Sequence, residues 1–251
     1  MNSNKILSAV LVLLPVIANG ADEEKWDVSA IPGDSREVTI DTRTGTWMSV
    51  DISPDGQTIV FDLLGDIYVI PVTGGEAKAI NNGFAWSMQP RFSPDGTEIA
   101  FTSDAGGGDN IWIMNADGSD ARQLTKEDFR LLNNPYWSPD GEYVAAKKHF
   151  TTTRSAGTGE IWLYHRNGGA GVPVVERPNE DHQKALGEPA FSPDGRYIYY
   201  SLDQTPGGTF EYAQDSNGQV MAIRRFDLEK GQSEGFVSAA GGAVRPTPSP
   251  D

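Results

Sequence analysis

The tetrapeptide Ser-Pro-Asp-Gly occurs at 53–56, 93–96, 138–141 and 192–195, and the chain ends Ser249-Pro250-Asp251, one residue short of a fifth copy. A motif that returns every 40 to 57 residues marks a structural array whose units lean on their neighbours. A short apolar stretch precedes each serine, as in Gln89-Pro90-Arg91-Phe92 and Asn134-Pro135-Tyr136-Trp137. A run rich in β-branched and aromatic residues follows each glycine, as in Glu98-Ile99-Ala100-Phe101 and Tyr197-Ile198-Tyr199-Tyr200. A third run comes next, for example Ile111-Trp112-Ile113-Met114. A fourth lies beyond a glycine-rich turn, clearest at Arg122-Gln123-Leu124-Thr125 and Lys78-Ala79-Ile80. Each unit therefore reads as four short strands.

The tetrapeptide has a mechanical role. Proline presets φ for a turn, aspartate bonds nearby backbone, and glycine takes the positive-φ position. It predicts a hairpin between strands one and two, and Asn115-Ala116-Asp117-Gly118-Ser119-Asp120 predicts one between strands three and four. No stretch beyond the N-terminus keeps a 3.6-residue period. Four-stranded antiparallel units at this spacing are the blades of an all-β β-propeller. The expected blades are 46–82, 88–126, 134–177 and 188–238, with the start of a fifth at 244–251 and hence an incomplete ring. Residues 21–45 form an N-terminal segment in which 36–41 is expected to act as a ring-closing strand. An open array exposes the apolar face of each end blade. At ~25 cal/mol per Å², leaving several hundred Å² wet forfeits on the order of 10 kcal/mol.

Residues 1–20 differ from the rest. Lys5 precedes an apolar run that ends in Ala18-Asn19-Gly20, the layout of a secretory signal peptide. Export to the periplasm or outside the cell is expected, with no membrane attachment after cleavage. The chain lacks cysteine, so neither disulfides nor thiolate chemistry is available. Its net charge of -15 argues against nucleic acid, whose phosphates need a basic face.

The units differ mostly between strands two and three. The distance from the serine to the third run grows through 14, 18, 23 and 28 residues. The variable loops are 104–110, 151–160 and 202–219, all on the ring face that also carries the blade-to-blade connections. Length variation concentrated on one face marks a working surface.

Chemistry-bearing motifs are sparse. His149, His165 and His182 are too scattered for a zinc spacing. Gly231-Gln232-Ser233-Glu234-Gly235 matches a nucleophile elbow but sits in a turn between predicted strands. The 115–120 turn lacks the spacing and glutamate of a calcium loop, and 104–109 reads as a flexible acidic loop. No catalytic, cofactor-binding or metal-ligating residue is assigned, and no cofactor is expected.

Residues 92–125, with Phe-Ser-Pro-Asp-Gly, Ile-Ala-Phe-Thr-Ser, Asn-Ile-Trp-Ile-Met-Asn-Ala-Asp-Gly-Ser and Arg-Gln-Leu-Thr, resemble the WD40-like repeat of TolB and tricorn propellers. The resemblance runs over about 46–251. Two irregular stretches, 147–165 and 205–212, are similar to propellers that precede a metal-dependent amidohydrolase domain in exported bacterial proteins. That resemblance implies a non-catalytic scaffold or substrate-gating module whose partner is its own downstream domain or another envelope protein. Two alternatives stay open: a stand-alone periplasmic interaction propeller, and the propeller of a prolyl-oligopeptidase or tricorn-like peptidase.

Overall fold

In the computed structural model, the described residues are 27–28, 30, 33–36, 38–128, 131–151, 156–209, 221–239 and 241–249. The expected signal peptide and residues 210–219 of the longest loop lie outside them. The described residues form four antiparallel sheets of four strands each, and contain no helix. The first sheet holds β1 (Val50–Ile52), β2 (Thr58–Leu63), β3 (Asp66–Pro71) and β4 (Lys78–Asn81). The second holds β5 (Ser87–Phe92), β6 (Glu98–Ser103), β7 (Asn110–Asn115) and β8 (Arg122–Gln123). The third holds β9 (Leu132–Trp137), β10 (Tyr143–Thr151), β11 (Ala156–His165) and β12 (Val172–Val175). The fourth holds β13 (Leu186–Phe191), β14 (Tyr197–Asp203), β15 (Met221–Asp227) and β16 (Gln232–Val237). Strand order within every sheet follows the chain, so each is an up-and-down blade. The first strands touch in succession, β1 with β5, β5 with β9 and β9 with β13, and so line the inner side. The sheets do not close into a ring.

The repeated tetrapeptide builds the same turn each time. The Ser53, Ser93, Ser138 and Ser192 hydroxyls donate to the following aspartates at 2.5, 2.6, 2.5 and 2.5 Å. Each serine Oγ also accepts the backbone N–H five residues on, at 2.9 Å. The aspartates accept a second N–H two residues on. These donors favour the ionised carboxylates. Asp95 is lowered to about 2, and Asp55, Asp140 and Asp194 are also held below their usual range, the serine hydroxyl leading in each case. Gly56, Gly96, Gly141 and Gly195 take φ of 69–72°, the left-handed region that disfavours a side chain. A Cβ on Gly96 would lie 3.3 Å from Pro54, and one on Gly195 would lie 3.8 Å from Pro139. Successive turns thus stack glycine on proline from blade to blade.

Apolar clusters sit between the blades. Val60 and Ile67 meet Phe92, Ile99, Phe101 and Met114 at the first joint. Ala100, Ile111 and Ile113 meet Trp137, Val144 and Tyr164 at the second. Ala145 and Ile161 meet Phe191, Ile198 and Tyr200 at the third. Val50 and Ile52 remain about half exposed on the first blade, as does Phe236 on the fourth. Residues 38–41 pair with no strand among the described residues, and Val38 and Ile40 are exposed.

Several local expectations differ from the fold. The run at 47–52 becomes a strand only from Val50, because Trp47 takes φ 61° and points fully into solvent. The fourth run of the second blade keeps only Arg122 and Gln123 in the ladder. Beyond them the Thr125 Oγ1 accepts the Ile111 N–H at 2.9 Å and ends the pairing. The stretch 151–160 is not a loop throughout, since β11 begins at Ala156. Its glycines favour a loop in sequence, yet Gly159 packs where a Cβ would fall 2.5 Å from the Leu186 carbonyl.

Candidate functional site

The inner strands carry a feature that repeats with the blades. Gln89, Asn134, Glu188 and Arg245, each four residues before a repeat serine and each followed by proline, adopt φ of 58, 55, 56 and 53°. The proline lacks an N–H and cannot complete the ladder, so the pairing register shifts at Met88/Arg91, Ala145/Lys147 and Gly187/Ala190. The kink turns the amide of the left-handed residue toward the preceding blade.

At three joints that amide meets a side-chain acceptor. The Gln89 N–H donates to Asp62 Oδ2 at 2.6 Å, and Asp62 Oδ1 also accepts the Ser49 N–H at 2.8 Å. The Asn134 N–H donates to Gln89 Oε1 at 2.8 Å, and the Thr102 hydroxyl donates to the same oxygen at 3.1 Å. The Arg245 N–H donates to Glu188 Oε2 at 3.1 Å and to Ser201 Oγ at 2.9 Å. The Ser201 hydroxyl donates to Glu188 Oε2 at 2.7 Å and Arg245 Nε to Glu188 Oε1 at 3.0 Å. Asp62, Thr102 and Ser201 occupy one position of the second strand.

In the third blade that position is Lys147. Strand alternation directs residues 144, 146, 148 and 150 toward the second blade, and 145, 147 and 149 toward the fourth. Toward the second blade the hairpin is firmly tied. Lys148 Nζ lies 2.7 Å from Glu127 Oε1 and 4.0 Å over the Trp162 ring. The Trp162 Nε1–H donates to Glu160 Oε2 at 3.0 Å, and Arg177 pairs with Glu160 at 3.4 Å while covering the Phe150 ring at 4.0 Å.

Toward the fourth blade there is no such tie among the described residues. The Lys147 stem runs over Gly187 and Gly159, where added Cβ atoms would lie 2.5 and 2.6 Å from its carbons. Among the described residues, Lys147 makes no ion pair within 4.0 Å. Burial pushes its ammonium below its ordinary pKa, opposed by the charge of Glu188. His149, two residues along on the same face, is also lowered, first by burial and then by Lys147. No side-chain acceptor among the described residues reaches the Glu188 N–H. Asn133, paired across from Lys147, has a buried Oδ1 without a hydrogen-bond partner. Strand alternation is visible in sequence, but the break in the joint pattern needs the left-handed kink to be seen.

The other sequence motifs are placed apart. His165 lies 3.6 Å from Glu142 on the turn face. His182 precedes the fourth blade, and burial followed by the nearby Lys184 lowers its pKa. Among the described residues, no group of His, Asp or Glu side chains is gathered to hold a metal. Ser233 of the elbow-like motif lies in the exposed strand β16, paired with Phe226, without the strand–turn–helix an elbow needs. The Asp117 carboxylate is occupied by Ser119, through its N–H at 2.9 Å and its hydroxyl at 2.6 Å. Asp104 accepts the Trp86 N–H at 2.7 Å. A cleft of about 370 Å³ opens between the first two turns, but its Ser53, Asp55 and Asp95 are engaged in the turns themselves.

Comparison with known proteins agrees with this architecture. The uncharacterized peptidase YuxL of Bacillus subtilis is 30% identical over 173 residues, which is 56% of this chain and 25% of that protein. A tricorn protease homolog of Saccharolobus solfataricus is 25% identical over 170 residues, 67% of this chain and 15% of its own length. The chain thus spans a quarter or less of these curated relatives. A structure assigned as TolB from Agrobacterium tumefaciens superposes with a TM-score of 0.64 at 23% identity, covering 80% of this chain and 65% of that one. Residues 27–222 match the TolB beta propeller domain, PD40, and the chain belongs to that family.

Proposed function

We propose that the chain is the propeller module of an exported hydrolase, acting as a scaffold that admits and orients substrate for a catalytic domain outside these 251 residues. The observation that carries this reading is the pair of curated relatives. Both are peptidases or peptidase homologs, and this chain matches a quarter or less of each. The β10–β11 hairpin supports a gating role, since it extends the third blade on the variable-loop face. A peptidase is the favoured catalytic class. The metal-dependent amidohydrolase reading rests on the stretches 147–165 and 205–212, the first of which covers most of that hairpin. The signal-peptide layout of residues 1–20 supports export, to the periplasm or outside the cell. The partner is the chain's own catalytic domain or another envelope protein.

The test uses the protein encoded by the full reading frame. Labelling by a fluorophosphonate probe, with chelator-insensitive cleavage of peptide anilides, supports the peptidase reading. Hydrolysis abolished by a chelator and restored by divalent metal supports the amidohydrolase reading. A protein that hydrolyses nothing but captures an envelope protein overturns both in favour of an interaction propeller.

A further inference from the structure

We infer that the joint between the third and fourth blades is a binding site for the C-terminal carboxylate of a peptide, held by Lys147 Nζ and the Glu188 N–H. The inference concerns binding alone and does not depend on which catalytic domain the protein carries. The other joints define what is missing at this one. Each pairs the amide of a left-handed residue with an oxygen acceptor, chiefly a carboxylate or side-chain amide oxygen: Asp62, Gln89 and Glu188. At the third joint Lys147, with three donors and no acceptor, stands where Asp62 stands at the first, and Asn134, the counterpart of Gln89 and Glu188, supplies no acceptor to the Glu188 N–H among the described residues. The Glu188 carboxylate is held by Ser201 and Arg245, at 2.7 and 3.0 Å, and does not close the joint. Two donors of this joint therefore lack, among the described residues, the side-chain oxygen that Asp62 supplies at the first joint.

Gly159 and Gly187 leave the groove in which the Lys147 stem lies, and a Cβ at either would collide with it. Burial of the stem fixes the ammonium and weakens its competition from water, so an anion gains more there than at a free surface lysine. A carboxylate supplies the acceptor as a charge-assisted hydrogen bond. Asn133 Oδ1 distinguishes a peptide from a simple anion. It is buried, has no donor, and sits across the strand pair from Lys147. A peptide C-terminus brings a carboxylate and, one residue back, an N–H able to satisfy that oxygen. Acetate and phosphate bring only the anion.

The experiment is a titration of the full-length protein with acetyl-Ala-Ala bearing a free carboxylate, followed by calorimetry and by the ¹⁵N–¹H resonance of Glu188. Parallel titrations use the same peptide with an amidated C-terminus, acetate and inorganic phosphate. The free acid should bind and shift the Glu188 resonance, and the other three should bind roughly tenfold more weakly or not at all, the scale of one charge-assisted hydrogen bond. Lys147→Gln, which places a side-chain oxygen where Asp62 carries one at the first joint, should close the joint and abolish binding. If that variant fails to fold, the Glu188 resonance of the unmodified protein still decides the matter. Equal binding of the amidated peptide, acetate or phosphate overturns the proposal. So does unchanged binding by Lys147→Gln, or a Glu188 resonance that stays fixed at millimolar peptide.

Discussion

The joint between the second and third blades and the joint between the third and fourth share a plan and differ in chemistry. At the former, Gln89 Oε1 takes both the Asn134 N–H and the Thr102 hydroxyl, and the Trp137 Nε1–H donates to the Arg91 carbonyl at 3.2 Å. Arg166 reaches back to Glu98 at 2.5 Å. Every polar group named there has a partner within the chain. At the latter, Lys147 takes the position that Thr102 holds at the former, and the Glu188 amide and Asn133 Oδ1 are left without side-chain partners among the described residues. The apolar packing is comparable on both sides, since Trp137 and Phe191 are 4% and 5% exposed. Shape therefore holds the blades together at both joints, and the two differ in their polar contacts.

The difference can be broken from either side. Trp137→Ala removes a buried ring and its hydrogen bond from the sealed joint and should cost about 3–5 kcal/mol in chemical denaturation. Phe191→Ala should cost a similar amount at the other joint, so equal losses would confirm that packing does not distinguish the two. Gln89→Leu leaves the Asn134 amide and the Thr102 hydroxyl unsatisfied and should destabilise by about 1–3 kcal/mol. Lys147→Gln should instead be neutral or stabilise by up to about 1 kcal/mol, because it supplies the acceptor its joint lacks. Losses of equal size from Gln89→Leu and Lys147→Gln would erase the contrast.

Acid sensitivity should be shared by all blades and serves as a control. The turn aspartates are more acidic folded than unfolded, so their stabilisation is present above the ordinary aspartate value of 3.8 and fades as pH falls through the folded value, about 2 for Asp95. Asp95→Asn should therefore be less stable than the parent at pH 6, with the gap shrinking between pH 4 and 2. A gap independent of pH would show that the carboxylate charge is not what the turn uses.

The blade frame is legible in sequence because one tetrapeptide sets both a turn and the registry of the strands on either side of it. The strands of the second blade follow directly from the runs around Ser93 and Gly96. The inner-wall kinks are not legible in the same way. Gln89, Asn134, Glu188 and Arg245 each precede proline, a setting that ordinarily favours extended backbone, yet each is left-handed. The recurring polar–proline pair four residues before the serine is the available signal, but in sequence it merges with the apolar strand around it. The long third-blade hairpin is obscured by Gly157 and Gly159, residues that look like a loop until Lys147 and Leu186 are seen to occupy the space above one of them. The role of Lys147 is hidden for the same reason: a lysine in a strand is ordinary, and only its three counterparts make it exceptional.

Lys147 and Lys148 are one step apart in the chain and belong to opposite worlds. Lys148 is clamped between a carboxylate and an indole, whereas Lys147 has a depressed proton affinity and no clamp among the described residues. An amine-acylating reagent used at limiting dose near neutral pH should mark Lys147 ahead of its neighbour, so that peptide mass spectrometry distinguishes two adjacent lysines by the blade each one faces.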